Sequence, residues 1–234
     1  MLRGSSCVLD PFGGVGKIFL VSEWLPNLKI YATEIEPEWA RANPNIIVAN
    51  AKSLPYKDNF FDSICTSPTY GNRMADTLID TYDRITYTSK LGRKLHKDNS
   101  GSMQWGKAYK DFHVAVWYEC TRVLQEGGVF ILNIKDHIRA GKVQHVTDWH
   151  IATLESIGYK VELHNKIDTP SMRFGENGEK RIEYESVIKL VLKSKSQLTK
   201  RAADVCPRCA GTGVRTPRKF TYDCRYCSGT GKRR

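Results

Sequence analysis

Four residues that could bind an amino group on a planar ring, Ser67-Pro68-Thr69-Tyr70, follow the apolar run Phe61-Asp62-Ser63-Ile64-Cys65-Thr66. The Ser67 hydroxyl and the Pro68 carbonyl are hydrogen-bond acceptors, and proline restricts the backbone so that this carbonyl keeps one direction. The Tyr70 ring offers a flat surface on which a base taken out of its helix can stack. These residues therefore predict a strand tip that holds a nucleobase by its exocyclic amine.

The exocyclic amine of cytosine or adenine is a weak nucleophile because its lone pair is delocalised into the ring. Two acceptors, at Ser67 and Pro68, can take both amine hydrogens and favour a pyramidal nitrogen that attacks an electrophilic methyl group. Ser67, Pro68 and Tyr70 are therefore the predicted catalytic residues. The alternative is a plain turn after a strand, in which Pro68 only breaks the strand.

A glycine-rich loop, Asp10-Pro11-Phe12-Gly13-Gly14-Val15-Gly16, lies between a predicted strand and a predicted helix. Glycines there let the backbone approach a ligand closely, and the helix N–H groups point at it. The next predicted strand ends at Glu34, eighteen residues after Gly16, a suitable position for a carboxylate that binds ribose hydroxyls. Glu36 is a second candidate, and either acid could instead be a surface residue at a helix start. The loop alone would also fit a dinucleotide.

Short β-branched or aromatic runs alternate with helix-period segments over residues 1–192, which predicts an α/β fold with a parallel sheet covered by helices. The predicted strands are 7–10, 29–34, 46–49, 62–66 and 129–134, and the predicted helices are 15–24, 38–42, 111–125 and 146–156. The third helix rests on apolar spacings of three and four and is predicted to end at Gly127-Gly128. Two last strands, 160–167 and 182–192, predict an antiparallel hairpin at the sheet edge.

The loop and the tip together resemble those of the class I S-adenosylmethionine-dependent methyltransferases, in particular the amino-methylating DNA methyltransferases that act on cytosine N4 or adenine N6. Their signatures are a DPFxGxG loop and an (Asp/Asn/Ser)-Pro-Pro-(Tyr/Phe/Trp) tip. The resemblance covers roughly residues 7–192 and includes Leu124-Gln125-Glu126-Gly127-Gly128-Val129. It implies a Rossmann-like, seven-stranded methyltransferase sheet with an antiparallel edge hairpin.

The resemblance also implies a site for S-adenosyl-L-methionine. Asp10, Gly13 and Gly16 would line the methionine part. Glu34 would hold the ribose, and Asn50 with Ala51 would border the adenine. The predicted cofactor-binding residues are Asp10, Pro11, Phe12, Gly13, Gly14, Gly16, Glu34, Asn50 and Ala51.

Two features of the tip bear on the substrate. Ser67, rather than Asp, resembles the subset of the family that makes N4-methylcytosine, so cytosine N4 in DNA is predicted ahead of adenine N6. Thr69 stands where the family has its second proline. Because related tips also serve RNA bases, an RNA base methyltransferase is an alternative. A second alternative is an inactive protein with a methyltransferase fold that binds nucleic acid. The departure from the family pattern at Thr69 is the feature that would indicate it.

The stretch 71–110 is long, polar and outside the strand–helix alternation, as functional loops or disordered segments are. It interleaves cations with aromatic rings, as surfaces that follow nucleic acid do: Arg73, Tyr82, Arg84, Tyr87, Lys90, Arg93, Lys94 and Trp105. Since it directly follows the tip, it is predicted to be a target-facing insertion, with a buried accessory helix as the alternative. Asp136 and His137 end the fifth predicted strand and either contact substrate or serve as helix caps.

Two CxxC pairs near the C-terminus form an internal repeat, Cys206-x2-Cys209-Ala-Gly-Thr-Gly and Cys224-x2-Cys227-Ser-Gly-Thr-Gly, with fourteen residues between the pairs. Four thiolates at this spacing predict one closed, tetrahedral and structural zinc site; a redox pair is the alternative. The repeat resembles half of the cysteine-rich zinc region of the DnaJ co-chaperones. So small a module would depend on the metal to fold.

The positive charge is concentrated at the C-terminus of this 234-residue chain. Residues 193–234 hold twelve Lys or Arg and two acids, whereas the whole chain carries a net charge of +11. Basic arms of this kind bind phosphate backbones by counterion release, so DNA is the predicted partner and RNA the alternative; a solubilising tail is the other interpretation. The predicted domains are a methyltransferase domain over 1–192, a linker over 193–204 and a zinc-binding module over 205–234. With no membrane-length apolar run and scattered remaining cysteines, a soluble cytoplasmic protein that does not bind membranes is expected.

Overall fold

Seven of the strands pair into one sheet, and the first five strands of the chain pair with one another in parallel within it. In chain order the strands are β1 (Cys7–Asp10), β2 (Lys29–Glu34), β3 (Ile46–Val48), β4 (Phe61–Thr66), β5 (Leu124–Ile134), β6 (His137–Arg139), β7 (Lys142–Gln144), β8 (Tyr159–Asp168) and β9 (Tyr184–Leu192). The sheet order is β3-β2-β1-β4-β5-β9-β8, and β6 pairs with β7 separately. The predicted seven-stranded sheet is confirmed.

This computed structural model describes residues 1–71, 88, 91–169 and 180–196, and the backbone of 214–215 and 222–223. The chain divides into two units, Met1–Ser194 and Lys195–Arg234. In the second unit, β10 (Val214–Arg215) pairs antiparallel with β11 (Tyr222–Asp223). None of the helices within the described residues has the length and apolar character needed to cross a bilayer.

The helices of the first unit are α1 (Pro37–Ala40), α2 (Lys107–Val123) and α3 (Val146–Ile157), with 3-10 helices at Lys17–Glu23 and Ser100–Ser102. Because strand side chains alternate between the two faces of the sheet, neighbouring residues enter different cores. Leu9 packs with Trp117 of α2 and Leu154 of α3, whereas Val8 packs with Leu2 and Leu28 on the other face. The sheet is therefore buried on both faces, as parallel sheets are.

The antiparallel edge hairpin is confirmed. β5 pairs antiparallel with β9, which pairs antiparallel with β8, whereas β1, β2, β3, β4 and β5 pair in parallel. This arrangement places the carboxyl ends of β1, β2 and β4 at one edge of the sheet, where ligands bind in open α/β folds.

Two predicted helices differ from the observed ones. The α-helix expected over 15–24 is wrong: its core is the 3-10 helix Lys17–Glu23, which begins after Gly16 at a left-handed φ of 88°. Pro26 disfavours helical geometry at the preceding residue, so fewer than three turns are possible and α-helix cooperativity is weak. The long helix starts at Lys107 and ends at Val123, so Gly127-Gly128 does not end it but lies within β5. Gly127 has a φ of 76°, beside a shift in the β4–β5 register.

Candidate active site

The candidate site lies at the carboxyl ends of β1, β2 and β4, which are neighbours in the sheet. β1 ends at Asp10, β2 at Glu34 and β4 at Thr66, directly before Ser67. The sheet order thus brings the glycine-rich loop, the acidic strand end and the tip (residues 67–70) to one edge, although they are far apart in the sequence.

The glycine-rich loop folds back onto the end of β2. A Cβ atom at Gly13 would lie 2.8 Å from the Cβ of Ala32, so a larger residue would force the loop away from the strand. The backbone N–H of Gly14 donates to Glu34 Oε2 at 2.9 Å. Gly14 and Gly16 both have left-handed φ angles, of 53° and 88°, which glycine adopts at little cost. The loop therefore needs these glycines for its own conformation.

A buried carboxylate, Glu34, and a part-buried one, Asp10, lie at this edge. Asp10 Oδ1 accepts hydrogen bonds from Thr66 Oγ1 at 2.7 Å and from the Phe12 N–H at 3.0 Å. Burial nevertheless raises the pKa of Asp10 to about 6, and the nearby Glu34 carboxylate adds to that rise. Burial also raises the pKa of Glu34, against the hydrogen bonds that its oxygens accept from backbone N–H groups. A cation bound here would offset the cost of keeping both groups ionised.

Glu36, the second candidate for a ribose contact, is fully buried, and its carboxylate accepts hydrogen bonds from other residues of the protein. Its Oε2 accepts from Arg93 at 2.7 Å, and its Oε1 accepts from the His96 N–H at 2.7 Å and from Asn99 Nδ2 at 2.9 Å. Both oxygens therefore hold the first part of residues 93–102, here called the covering segment. Arg93 also donates to Glu38 at 2.5 to 2.9 Å.

The covering segment also binds the residues that follow β3. Asn50 Nδ2 donates to Asp98 Oδ2 at 2.8 Å, and Lys52 Nζ lies 2.8 Å from Asp98 Oδ1. The stretch 71–110 is predicted to face the target, yet its described part thus contacts a candidate cofactor-binding residue, Asn50. Arg73, Tyr82, Arg84, Tyr87 and Lys90 of that stretch lie outside the described residues.

One pocket joins the loop, the strand ends and the tip. It encloses about 600 Å³ of space, including part that is open to solvent. Of the predicted site residues, six line it: Pro11, Phe12, Gly14, Glu34, Ala51 and Ser67. Asp10, Gly13, Gly16, Asn50, Pro68 and Tyr70 are not among the lining residues, although each adjoins one that is within two positions in the chain.

Several lining residues were not predicted from the sequence. Asp98, Asn99 and Ser100 of the covering segment form one side of the pocket, and Thr69 of the tip and Phe112 of α2 also line it. Asp98 to Ser100 come from a polar, aperiodic stretch, so no spacing pattern marks them. Phe112 gives no pocket signal either, because an apolar residue on a helix is typical of core packing.

The tip forms hydrogen bonds with three residues outside it. Ser67 is exposed, with its Oγ 3.4 Å from Tyr70 Oη and 3.5 Å from Asn133 Nδ2, which are long contacts. Thr69 Oγ1 donates to Ser100 Oγ at 2.7 Å, and the Thr69 carbonyl accepts from Tyr109 Oη at 2.6 Å. The Ser67 hydroxyl therefore keeps acceptor capacity for a ligand, whereas Thr69 is committed to the protein.

Asp136 and His137 lie beyond the end of β5. Asp136 Oδ1 accepts from the backbone N–H of Thr147 at 2.8 Å, in the first turn of α3. This contact supports the helix-capping interpretation of Asp136. Burial lowers the pKa of His137, although the Asp136 carboxylate opposes that shift.

The four cysteines predicted to bind zinc, Cys206, Cys209, Cys224 and Cys227, lie outside the residues whose side chains are described. Across the described ranges, no cluster of three or more His, Cys, Asp or Glu is arranged to hold a metal ion. Cys7, Cys65 and Cys120 have free thiols.

Comparison with known proteins gives matches in structure only. No protein-family model matches the sequence, and no curated protein matches it either. An S-adenosylmethionine-dependent methyltransferase from Methanosarcina mazei superimposes with a TM-score of 0.51 at 13% identity, over 79% of this chain and 91% of its own. A candidate sarcosine dimethylglycine methyltransferase from Galdieria sulphuraria gives a TM-score of 0.50 at 13% identity, over 82% of this chain and 78% of its own. The first unit of this chain therefore has the fold of the S-adenosylmethionine-dependent methyltransferases.

Proposed function

We propose that this protein is an S-adenosylmethionine-dependent DNA methyltransferase that acts on an exocyclic base amine, with cytosine N4 preferred over adenine N6. One observation carries the proposal: a single pocket is lined by Gly14, Glu34 and Ala51, the candidate cofactor residues, and by Ser67 of the tip. A methyl donor and its acceptor must share one cavity, and here the two sets of residues do so.

The pocket suits a cationic nucleoside cofactor. The Asp10 and Glu34 carboxylates have pKa values raised by desolvation, so a positive group beside them would be stabilised. S-Adenosylmethionine, when bound, supplies an electrophilic methyl group. Asp10 and the glycine-rich loop would hold its methionine part, Glu34 its ribose, and Asn50 with Ala51 its adenine.

The tip would orient the acceptor. The Ser67 hydroxyl and the Pro68 carbonyl accept the two amine hydrogens, and the Tyr70 ring stacks on the flipped base. The cofactor would supply the methyl carbon: as the amine nitrogen held by Ser67 and Pro68 bonds to that carbon, the carbon–sulfur bond would break and leave its electron pair on sulfur. One amine proton then passes to water. The protein contributes positioning and electrostatic stabilisation rather than a covalent intermediate.

The basic C-terminal stretch supports nucleic acid as the substrate. Residues 193–234 carry twelve cations against two acids, and these cations would bind a phosphate backbone. The predicted four-cysteine zinc site would make a rigid support for these cations.

The test is methyl transfer from S-adenosylmethionine with a labelled methyl group to DNA and to RNA, followed by mass spectrometry of the nucleosides. We expect N4-methylcytosine in DNA. Methylated nucleosides in RNA alone would overturn the choice of substrate. Cofactor binding without turnover on either nucleic acid would favour an inactive, nucleic-acid-binding methyltransferase fold.

A further inference from the structure

We propose that three buried side chains, Tyr109, His150 and Trp117, position the tip by fixing the direction of the Thr69 carbonyl. They are positioning residues, since none of them lines the pocket. The inference rests on the function proposed above, because a displaced tip slows methyl transfer only if the tip holds the methyl acceptor.

The three side chains form a continuous chain of hydrogen bonds from the core to the tip. Trp117 Nε1 donates to His150 Nδ1 at 3.0 Å. His150 Nε2 lies 3.0 Å from Tyr109 Oη, and Tyr109 Oη donates to the Thr69 carbonyl at 2.6 Å. Tyr109 and Trp117 come from α2 and His150 from α3, and all three are fully buried. The two helices therefore meet the tip through this chain.

The direction of every hydrogen bond in the chain follows from the first. An indole N–H can only donate, so His150 Nδ1 must accept and carries no proton. Burial lowers the pKa of His150 well below its usual value, so the ring is neutral and its single proton sits on Nε2. That proton is donated to Tyr109 Oη, which leaves the tyrosine proton for the Thr69 carbonyl. Bonds aligned in this way polarise and strengthen one another.

This chain of hydrogen bonds acts on a position whose φ angle is not fixed by the residue type. A proline would fix φ at position 69, whereas threonine leaves φ free. Since the peptide bond is planar, a fixed Thr69 carbonyl also fixes the N–H and Cα of Tyr70, from which the stacking ring extends. The Thr69 side chain is held separately by Ser100, and the Gly71 carbonyl accepts from the Trp105 N–H at 2.7 Å. The backbone of the tip is thus anchored on both sides of Tyr70.

The test replaces Tyr109 by Phe and compares it with Tyr159→Phe. Tyr159 is also a buried tyrosine, and its hydroxyl pairs with Thr121 Oγ1 at 3.0 Å, away from the tip. Each variant loses one buried hydroxyl. In hydrogen–deuterium exchange of the full chain, we expect the peptide that contains residues 67–71 to exchange about tenfold faster in Tyr109→Phe than in Tyr159→Phe, because an anchor to the tip is lost. Equal exchange in the two variants would overturn the proposal.

A second readout needs no variant of Tyr109. In the ¹⁵N spectrum of histidine-labelled wild-type protein, with His150 assigned by the signal lost in His150→Gln, we expect a protonated Nε2 and a bare Nδ1. A proton on Nδ1 would contradict the chain of donors and overturn the proposal, even if Tyr109→Phe failed to fold.

The kinetic readout separates this inference from the proposed function. With methyl transfer to DNA as the assay, we expect turnover in Tyr109→Phe to fall about 10- to 100-fold with cofactor affinity nearly unchanged, as for a small displacement of reacting groups. Turnover equal to that of Tyr159→Phe would overturn the positioning role and leave the proposed function intact. Absence of transfer in the wild type would overturn the proposed function. The hydrogen–deuterium exchange of residues 67–71 and the tautomer of His150 would still decide whether the three side chains hold the tip.

Discussion

The Thr69 hydroxyl donates a hydrogen bond to Ser100 Oγ at 2.7 Å, which joins the tip to the covering segment. The covering segment is itself held by Glu36 and Asn50, on the side of the candidate cofactor residues. Thr69, the residue at which the tip departs from the methyltransferase pattern, therefore connects the candidate acceptor side of the pocket to the candidate donor side.

Replacing Asp10 by Asn should stabilise the protein in the absence of ligand. The pKa of Asp10 is about 6 in the folded protein against 3.8 for an unperturbed aspartate, so between pH 4 and 6 this group binds more protons in the folded state than in the unfolded state. The contribution of Asp10 to the free energy of unfolding should therefore decrease as the pH rises from 4 to 6 and be level above 6, so the stability difference between Asp10→Asn and the wild type should grow over that range. Asn keeps the Oδ1 acceptor without the buried charge, so at pH 7.5 the gain should be on the order of 2 kcal/mol. Urea unfolding at several pH values checks this, and a variant less stable than the wild type at pH 7.5 would contradict it.

The same carboxylate should make cofactor affinity depend on pH. A cationic ligand favours ionised Asp10, so S-adenosylmethionine should bind more weakly as the pH falls through about 6, the pKa of Asp10. In Asp10→Asn the contribution of this residue to the pH dependence should vanish. Calorimetric titration between pH 5 and 8 measures it, and an identical pH profile in both proteins would exclude Asp10 as the group responsible.

Replacing Glu36 by Gln should loosen the covering segment. The amide would turn a donor toward the Arg93 guanidinium, which now donates to Glu36 Oε2 at 2.7 Å. A buried charged hydrogen bond lost in this way costs about 1–3 kcal/mol, so cofactor affinity should fall about tenfold and trypsin should cut faster after Arg93. Glu38→Gln is the matched control, because Glu38 contacts the same guanidinium from an exposed position. Similar digestion and affinity in both variants would show that Glu36 does not anchor the segment.

The zinc prediction is tested by metal analysis of the full chain. We expect about one zinc per chain, lost in a variant with Cys206 and Cys224 changed to Ser, because a closed site needs all four thiolates. Cys7→Ser with Cys120→Ser is the control, since these thiols lie in the first unit. A metal-free wild type purified without chelators would contradict a structural zinc.

Deleting residues 205–234 should weaken DNA binding and reduce its dependence on salt. These residues contain eight of the twelve cations that follow residue 192. Each phosphate contact contributes nearly one unit to the slope of log affinity against log salt. Fluorescence anisotropy between 50 and 300 mM salt gives this slope, and an unchanged slope would make the stretch a solubilising tail.

The sheet was predictable because its signals are local. β-branched runs such as residues 29–34 fold as strands, and their alternation with helical segments fixes a parallel sheet. The helix at 15–24 was predicted wrongly because apolar periodicity does not report how Gly16 and Pro26 shorten it. The apolar spacing that predicted α2 does not describe its whole buried face, which contains Trp117 and Thr121 but also Tyr109 and His113.

The contacts of the covering segment were not predictable from one sequence. The pairing of Glu36 with Arg93 and Asn99 spans about sixty residues and follows no period. No pattern in the sequence marked His150, yet it is fully buried. The spacing of Tyr109, His113 and Trp117, four residues apart on one helix face, was the signal that polar groups enter this core.

The most direct test of the proposed activity is nucleoside mass spectrometry of DNA after incubation with S-adenosylmethionine that carries a trideuterated methyl group. The wild type should produce trideuteromethyl-N4-cytosine. The variant with Ser67→Ala and Tyr70→Ala should produce none while binding the cofactor with nearly wild-type affinity, because both residues belong to the tip and Ser67 reaches the pocket from the acceptor side. No label in DNA from the wild type, or equal label from the variant, would contradict the account.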